Sequence, residues 1–251
     1  MKDLFHGTAY AINDIQETFT VRKFALLFIV AILLTLCACG KNWEYLEIKE
    51  GGQTFEEIAA QLNELGINGF DQEMIDAMQE SWDQTPVEIR LSFNKTAWLL
   101  EAVGMGNYDY ETWTFTPSSG DVYAFDMEVF NVEAMYRDFL RGVAAIGDGE
   151  LEFTEIKEDL DNVNWEYGTG SRSITFQWRG NTYSLRADVH YDWFDCDLAN
   201  QLNQIIMEQQ GEKHLYFGGD GYQNIYVFYR DAEWASAFTK ATGMQLVETL
   251  K

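Results

Sequence analysis

Carboxylates and one imidazole are closely spaced between residues 188 and 197. They belong to Asp188, His190, Asp192, Asp195 and Asp197. Several carboxylate oxygens and an imidazole nitrogen this close together could ligate a hard or borderline cation and support metal-dependent hydrolysis. The same residues suit a structural role, because an aspartate before a helix caps it and acids in the first turn favour the helix dipole. We favour capping and keep a metal site as the alternative.

No established catalytic motif accompanies this group. The sequence contains no nucleophile elbow, HExxH zinc motif, P-loop or dinucleotide-binding pattern. Cys196 could pair with His190 as a thiol nucleophile, but a place in the first turn of a helix favours a small, partly buried cysteine. We therefore expect no catalytic residue and no cofactor. A hydrolase or metal-dependent enzyme that uses residues 188–197 is the alternative.

Hairpins and helices alternate around this group. Pairs of alternating strands are predicted within 113–129, 174–189 and 215–229, each followed by an amphipathic helix. Three such hairpin–helix units predict an α+β domain in which an antiparallel sheet carries its helices on one face. The predicted N-caps of the three helices are Asn131, Asp195 (or Asp192) and Asp231. Outside the units, a short helix that carries Trp98 to Val103, a helical turn at 153–160 and a terminal strand at 245–249 are predicted.

A small helical appendage is predicted ahead of this domain. Residues 54–57 form a capping box, apolar residues follow at helical spacing, and Gly66 ends that helix. Asp71 is the predicted N-cap of a second helix. We therefore assign 54–85 to the appendage and 86–251 to the α+β domain.

The stretch from Arg22 to Gly40 has the composition of an export signal. Arg22 and Lys23 precede fifteen uncharged and mostly apolar residues, 24–38. As a helix this run is about 22 Å long, shorter than the roughly 30 Å hydrocarbon core, which favours a secretory signal over an uncleaved membrane anchor. The run ends in Leu36-Cys37-Ala38-Cys39, which resembles the lipobox of bacterial prolipoproteins.

The resemblance to bacterial prolipoproteins implies cleavage before Cys39 and attachment of diacylglycerol to its sulfur. Residues 1–38 would then be the signal peptide, and 39–53 the lipidated cysteine with a short tether. Three acidic residues within 1–20 are unusual for a signal peptide. They favour a true translation start at Val21.

The composition fits a folded protein with an acidic surface. Its formal net charge of −24 argues against a nucleic-acid partner and against adsorption to anionic lipid. The acyl chain would therefore provide the membrane anchor. Hydrophobic residues make up 47% of the chain, enough for a packed core. Once the leader is removed and Cys39 is lipidated, Cys196 is alone, so no internal disulfide is expected.

Aromatic residues in predicted loops or at the ends of elements suit a binding surface. They are Trp43, Tyr108, Tyr110, Trp165, Tyr167, Tyr191, Trp193 and Tyr222. Such residues either pack as lids over the core or contact protein and glycan partners. We expect a non-catalytic lipoprotein on the extracytoplasmic face of a bacterial cell membrane. It would bind a protein or wall-glycan partner through an acidic, aromatic-bearing surface.

Overall fold

The computed structural model describes residues 52–90, 93–209 and 211–251. The predicted signal peptide, Cys39 and most of the tether lie outside these ranges. The chain divides into two compact units: the smaller includes Asp71–Leu91, and the larger combines Phe55–Phe70 with Ser92–Lys251. No described helix has both the length and the apolar character needed to cross a bilayer.

The described residues form a mixed α+β structure with antiparallel sheets. The helices are α1 (Phe55–Glu64), α2 (Gln72–Gln84), α3 (Val87–Arg90), α4 (Lys95–Gly104), α5 (Met135–Ala145), α6 (Cys196–Glu208) and α7 (Ala232–Thr242). The strands are β1 (Asn107–Asp109), β2 (Thr114–Thr116), β3 (Tyr123–Asp126), β4 (Thr154–Asp159), β5 (Val163–Asn164), β6 (Thr169–Trp178), β7 (Asn181–Asp188), β8 (His214–Gly219) and β9 (Asn224–Arg230).

A three-stranded sheet, ordered β3-β9-β8, carries helices on both faces. Val227 and Tyr229 of β9 point into the main core with side chains of α5 and α6. On the opposite face, the Phe228 ring packs against Trp234 and Phe238 of α7 at centroid distances of 5.2 and 5.1 Å. Helix α4 also contacts β3 and β9. The expectation of helices on one face therefore holds for only part of the fold.

The second sheet is built around the hairpin of β6 and β7. The two strands pair antiparallel, with Ile174 opposite Leu185 and Phe176 opposite Tyr183. The predicted helical turn at 153–160 is wrong, because that segment is strand β4, paired with β6. Its alternation is hard to recognise, since an inward position of β4 is taken by a charged residue, Glu158, and not by an apolar one.

The first predicted hairpin–helix unit is not present as a hairpin. Strand β2 pairs with β1, and β3 pairs with β9. Alternation identifies strands but not their partners, and the partner of β3 lies far along the chain. The predicted strand at 245–249 reduces to a bridge in which Phe217 and Val247 exchange two backbone hydrogen bonds of 2.8 Å.

Three of the four predicted aspartate and asparagine N-caps are present in the structure. The Oδ1 atoms of Asp71 and Asp231 accept backbone hydrogen bonds of 2.8 Å, and Asp195 caps α6. Asn131 does not cap α5, because that helix starts later and Ala134 occupies the N-cap position without a side-chain hydrogen bond. Gly243 ends α7 in the left-handed conformation that glycine favours (φ +74°).

Helix α1 belongs to the larger unit, so the compact units divide differently from the predicted 54–85 appendage. Phe55 and Leu62 of α1 are fully buried. Gln61 Nε2 donates to the carbonyl of Ala241 (2.9 Å), and Trp234 Nε1 donates to the carbonyl next to the helix end, at Leu65 (2.6 Å). The smaller unit keeps α2 and α3.

Candidate functional site

Both carboxylate oxygens of Asp195 accept hydrogen bonds from backbone amides. Its Oδ1 accepts from the amide of Asp197 (3.0 Å) at the start of α6. Its Oδ2 accepts from the amide of Asp188 (2.7 Å) at the end of β7. The residue therefore ties a helix start to a strand end, which is the capping role.

The other acids near Asp195 do not join it around a common point. In the described ranges, no group of three or more His, Cys, Asp or Glu side chains could hold a metal ion. Burial raises the pKa of the Cys196 thiol, and the neighbouring Asp195 and Asp197 raise it further. A thiol with a raised pKa is a poor nucleophile at neutral pH. His190 contributes its carbonyl to the amide of Trp193 (3.1 Å).

A shallow groove of about 420 Å³ runs along α6 and is lined mainly by amide side chains. These amides already have partners. Asn200 bonds the backbone of Leu250 through both its amide nitrogen and oxygen, at 3.0 and 2.8 Å. Gln201 bonds the backbone of Arg186 in the same two ways, at 2.8 and 3.1 Å. These amide hydrogen bonds therefore hold the C-terminal segment and β7 to α6.

Four aromatic rings form a contiguous surface cluster, which we call the aromatic patch. Its members are Tyr108, Tyr110, Trp113 and Phe130. Trp113 and Phe130 are stacked almost parallel (4°) at 5.6 Å, and Tyr110 meets Phe130 edge-on at 5.7 Å. Tyr108 lies 5.3 Å from Tyr110. Although the rings contact one another, Tyr110, Trp113 and Phe130 remain 59%, 53% and 69% exposed.

The hairpin of β1 and β2 positions three of these rings. Gly106, in a left-handed conformation (φ +72°), turns the chain from α4 into β1, and a Cβ there would meet Phe115 at 2.6 Å. At the tip, Asp109 Oδ1 accepts from the amides of Glu111 (2.8 Å) and Thr112 (3.2 Å). Trp113 then adopts φ +54°, a conformation that bulky residues rarely take. The hairpin thus directs Tyr110 and Trp113 to solvent.

Phe130 reaches the patch from a different part of the chain. The segment before it lies against residues 192–194: the amide of Val129 donates to the backbone carbonyl of Asp192 (2.8 Å), and the amide of Phe194 donates to that of Met127 (2.8 Å). On its other side, the Asn131 side-chain amide donates to the Tyr108 hydroxyl. Phe130 is therefore fixed on both sides while its ring stays in water.

Sequence reasoning found part of the patch. Tyr108 and Tyr110 were expected on a binding surface, Trp113 was assigned to a strand, and Phe130 was missed. The signal that could have identified Phe130 is a large apolar residue before Asn131 that fits neither an alternating nor a helical pattern. The remaining predicted aromatics, Trp165, Tyr167, Tyr191, Trp193 and Tyr222, are all exposed. Trp43 lies outside the described residues.

A second polar feature includes a residue of α4, and we call it the acidic cluster: the partly buried Glu101, Asp126 and Asp220. Asn224 Nδ2 donates to Glu101 Oε2 (3.2 Å) and to Asp220 Oδ2 (3.1 Å). Burial, followed by repulsion from Asp220 and Asp126, raises the pKa of Glu101 to about 8. The nearby Tyr226 hydroxyl is buried without a hydrogen-bond partner. Because Asn224 and Tyr226 are themselves buried, the cluster belongs to the core and bears on stability.

Comparison with known proteins identifies no family for this chain. No protein-family model, no curated protein and no solved structure matches it significantly.

Proposed function

We propose that this protein is a non-catalytic binding protein of the bacterial cell envelope and that the aromatic patch is its partner-binding surface. The observation that carries the proposal is that Tyr110, Trp113 and Phe130 pack against one another while each stays more than half exposed. Aromatic side chains elsewhere in the larger unit reach similar ring distances inside the core. Rings that are ordered and yet left in water are what a partner would cover.

The size of the patch agrees with this role. With about 200 Å² per aromatic side chain, three rings at these exposures leave roughly 350 Å² of contiguous apolar surface, within the range of the largest patches on monomeric proteins, which are often functional. Two segments distant in sequence form the patch, so it is a surface of the folded protein. Both segments are fixed by backbone or side-chain hydrogen bonds, which lowers the entropy lost on binding.

The membrane location is proposed from the leader. The positive residues, the short apolar run and the lipobox resemblance support lipidation at Cys39 and a position on the extracytoplasmic face. The strong acidity of the chain is compatible with a protein or wall-glycan partner at that surface. A metal-dependent reaction at residues 188–197 has less support, because Asp195 uses both oxygens for backbone amides.

The test compares partners captured in intact cells by three forms of the tagged full-length protein. These are the natural sequence, the double variant Trp113→Ala/Phe130→Ala, and Trp165→Ala as a matched control. Trp165 is 49% exposed, close to Trp113, and lies outside the patch. We expect components cross-linked to the natural protein and to the control to be lost from the double variant. Identical captured sets, with unchanged melting by circular dichroism, would contradict the proposal.

A further inference from the structure

We infer that the aromatic patch binds a positively charged polypeptide segment, whose arginine or lysine side chains lie on the exposed ring faces. The inference rests on the proposed function and names the chemistry of the partner.

Acidic residues predominate in the sequence that forms the patch. Residues 96–136, which carry all four rings, contain seven acidic residues and no lysine or arginine, although Arg230 pairs with Asp121 and Arg137 lies near Tyr108. The acids closest to the rings in sequence are exposed: Asp109, Glu111, Glu128 and Glu133. Within the described part of the chain, none of these four forms a salt bridge. A positively charged ligand would meet charges that no internal partner neutralises.

The hairpin also keeps one of these charges ionised beside the rings. The Thr112 side chain and the backbone amides of Glu111 and Thr112 hold the pKa of Asp109 below its usual value. The carboxylate is therefore negative at neutral and at mildly acidic pH, and it is fixed next to Tyr108 and Tyr110 in the turn. A guanidinium or ammonium group on the patch would have both a ring face and a carboxylate within its surroundings.

Some aromatic rings outside the patch already have an arginine of this chain over their faces. Arg179 lies 4.8 Å from the ring centroid of Trp178, and Arg230 lies 5.4 Å from that of Trp234. Within the described residues, no lysine or arginine lies over a patch ring. Arg137 lies near enough to Tyr108 to act on its pKa, but it does not lie over a patch ring, so a cation on these ring faces would come from another molecule.

Ring geometry favours an extended segment over a single small cation. Trp113 and Phe130 lie parallel with their centroids 5.6 Å apart, and Tyr110 meets Phe130 edge-on. Each of the three rings is more than half exposed, which suits several cationic side chains along one segment. A second copy of this chain is a poor occupant. It would bring another charge of −24, which the carboxylates beside the patch would repel.

The probe for this inference is a short synthetic peptide in which arginine alternates with serine. Its matched control is the same peptide with citrulline, the uncharged analogue of arginine, and a soluble N-acetylglucosamine oligomer represents wall glycan. Binding to the full-length protein in non-ionic detergent is measured by fluorescence anisotropy at several salt concentrations. Since a cation on an exposed ring gains a factor of about two to five, Trp113→Ala/Phe130→Ala should weaken arginine-peptide binding about tenfold. Trp165→Ala should leave the affinity unchanged.

Charge variants separate the local site from the acidity of the whole chain. Glu111→Gln/Glu128→Gln should weaken binding of the arginine peptide and reduce its salt dependence more than Glu73→Gln/Glu88→Gln, which removes equal charge from the smaller unit. Equal loss in the two pairs, or equal binding by the patch variant and the natural protein, would overturn the inference.

Binding of the N-acetylglucosamine oligomer separates failure of the cationic partner from failure of the aromatic patch as the binding surface. Binding of the oligomer that is lost in Trp113→Ala/Phe130→Ala, together with patch-independent binding of the arginine peptide, would overturn the cationic partner and leave the proposed function standing. An unchanged set of captured components with the same variant would overturn the proposed function as well.

Discussion

Replacing Glu101 with glutamine removes the titrating member of the acidic cluster. The glutamine can still accept the hydrogen bond that Asn224 Nδ2 donates to Glu101 Oε2 (3.2 Å), so the change is mainly one of charge. In the folded protein, burial and the neighbouring Asp220 and Asp126 raise the pKa of Glu101 from 4.5 to about 8. Between these two values the folded protein holds a proton that the unfolded chain has released.

The free energy of unfolding therefore falls as the pH rises through this window. The contribution of Glu101 is present in full below about pH 4.5 and is lost by about pH 8, which amounts to roughly 5 kcal/mol at about 1.4 kcal/mol per pKa unit. Glu101→Gln does not titrate, so it should match the natural protein in acid and exceed its stability by up to about 5 kcal/mol at alkaline pH. Repulsion within the cluster also decreases in the variant.

Urea unfolding monitored by tryptophan fluorescence, at pH values from about 5 to about 9, measures this difference directly. The matched control is Glu152→Gln, an exposed glutamate whose replacement should change stability by less than about 0.5 kcal/mol at any pH. The reasoning would be refuted if the natural protein gained stability from pH 5 to pH 9 relative to Glu101→Gln. A constant difference across the range would likewise show that Glu101 does not titrate there.

Three further outcomes are expected. Arg172→Met should lower the free energy of unfolding, measured in urea, by about 3–5 kcal/mol, because the Glu158 carboxylate, 2% exposed, loses its ion-pair partner. Adding Glu158→Leu should recover most of this stability, and no recovery would contradict the pairing. Asp195→Ala should lower the free energy of unfolding by about 2 kcal/mol, because the N-cap of α6 is lost. Addition of Ca²⁺ or Zn²⁺ should leave the Tm of the natural protein unchanged, and a rise of several degrees with either ion would restore the metal interpretation. Cys39→Ser should leave the protein out of the membrane fraction of bacterial cells, and mass spectrometry of the natural product should show the diacylglycerol; membrane retention of the variant would contradict lipidation.

The features that sequence predicted are those set by local patterns. The β6–β7 hairpin follows from strict alternation around the Arg179-Gly180 turn, and the start of α6 follows from Asp195 before an amphipathic run. Pairing between distant segments was not predictable. Nothing local in β3 indicates β9 as its partner, and β4 was missed because buried Glu158 depends on Arg172 in another strand.

The aromatic patch depends on the same kind of distant pairing. Phe130 reaches the patch only because its segment lies against residues 192–194. Glu101 is comparable, since its position in a helix gives no sign that two aspartates from other elements lie nearby. Both features are products of tertiary structure, so a single sequence shows their residue types without their neighbours.

The contrast between the patch and the core indicates that the patch is not an incomplete part of the core. Phe125 and Phe139 contact Phe194 at 4.8 and 4.9 Å and are all but buried, whereas the patch rings have comparable contacts and remain in water. Each ring left exposed forgoes about 1.5–3 kcal/mol of burial, and the left-handed backbone at Trp113 costs roughly 1–3 kcal/mol more. Stability alone would favour polar residues on this hairpin. Under the proposed function, a partner that covers the rings would offset this cost, and the exposed carboxylates beside them would favour a cationic one.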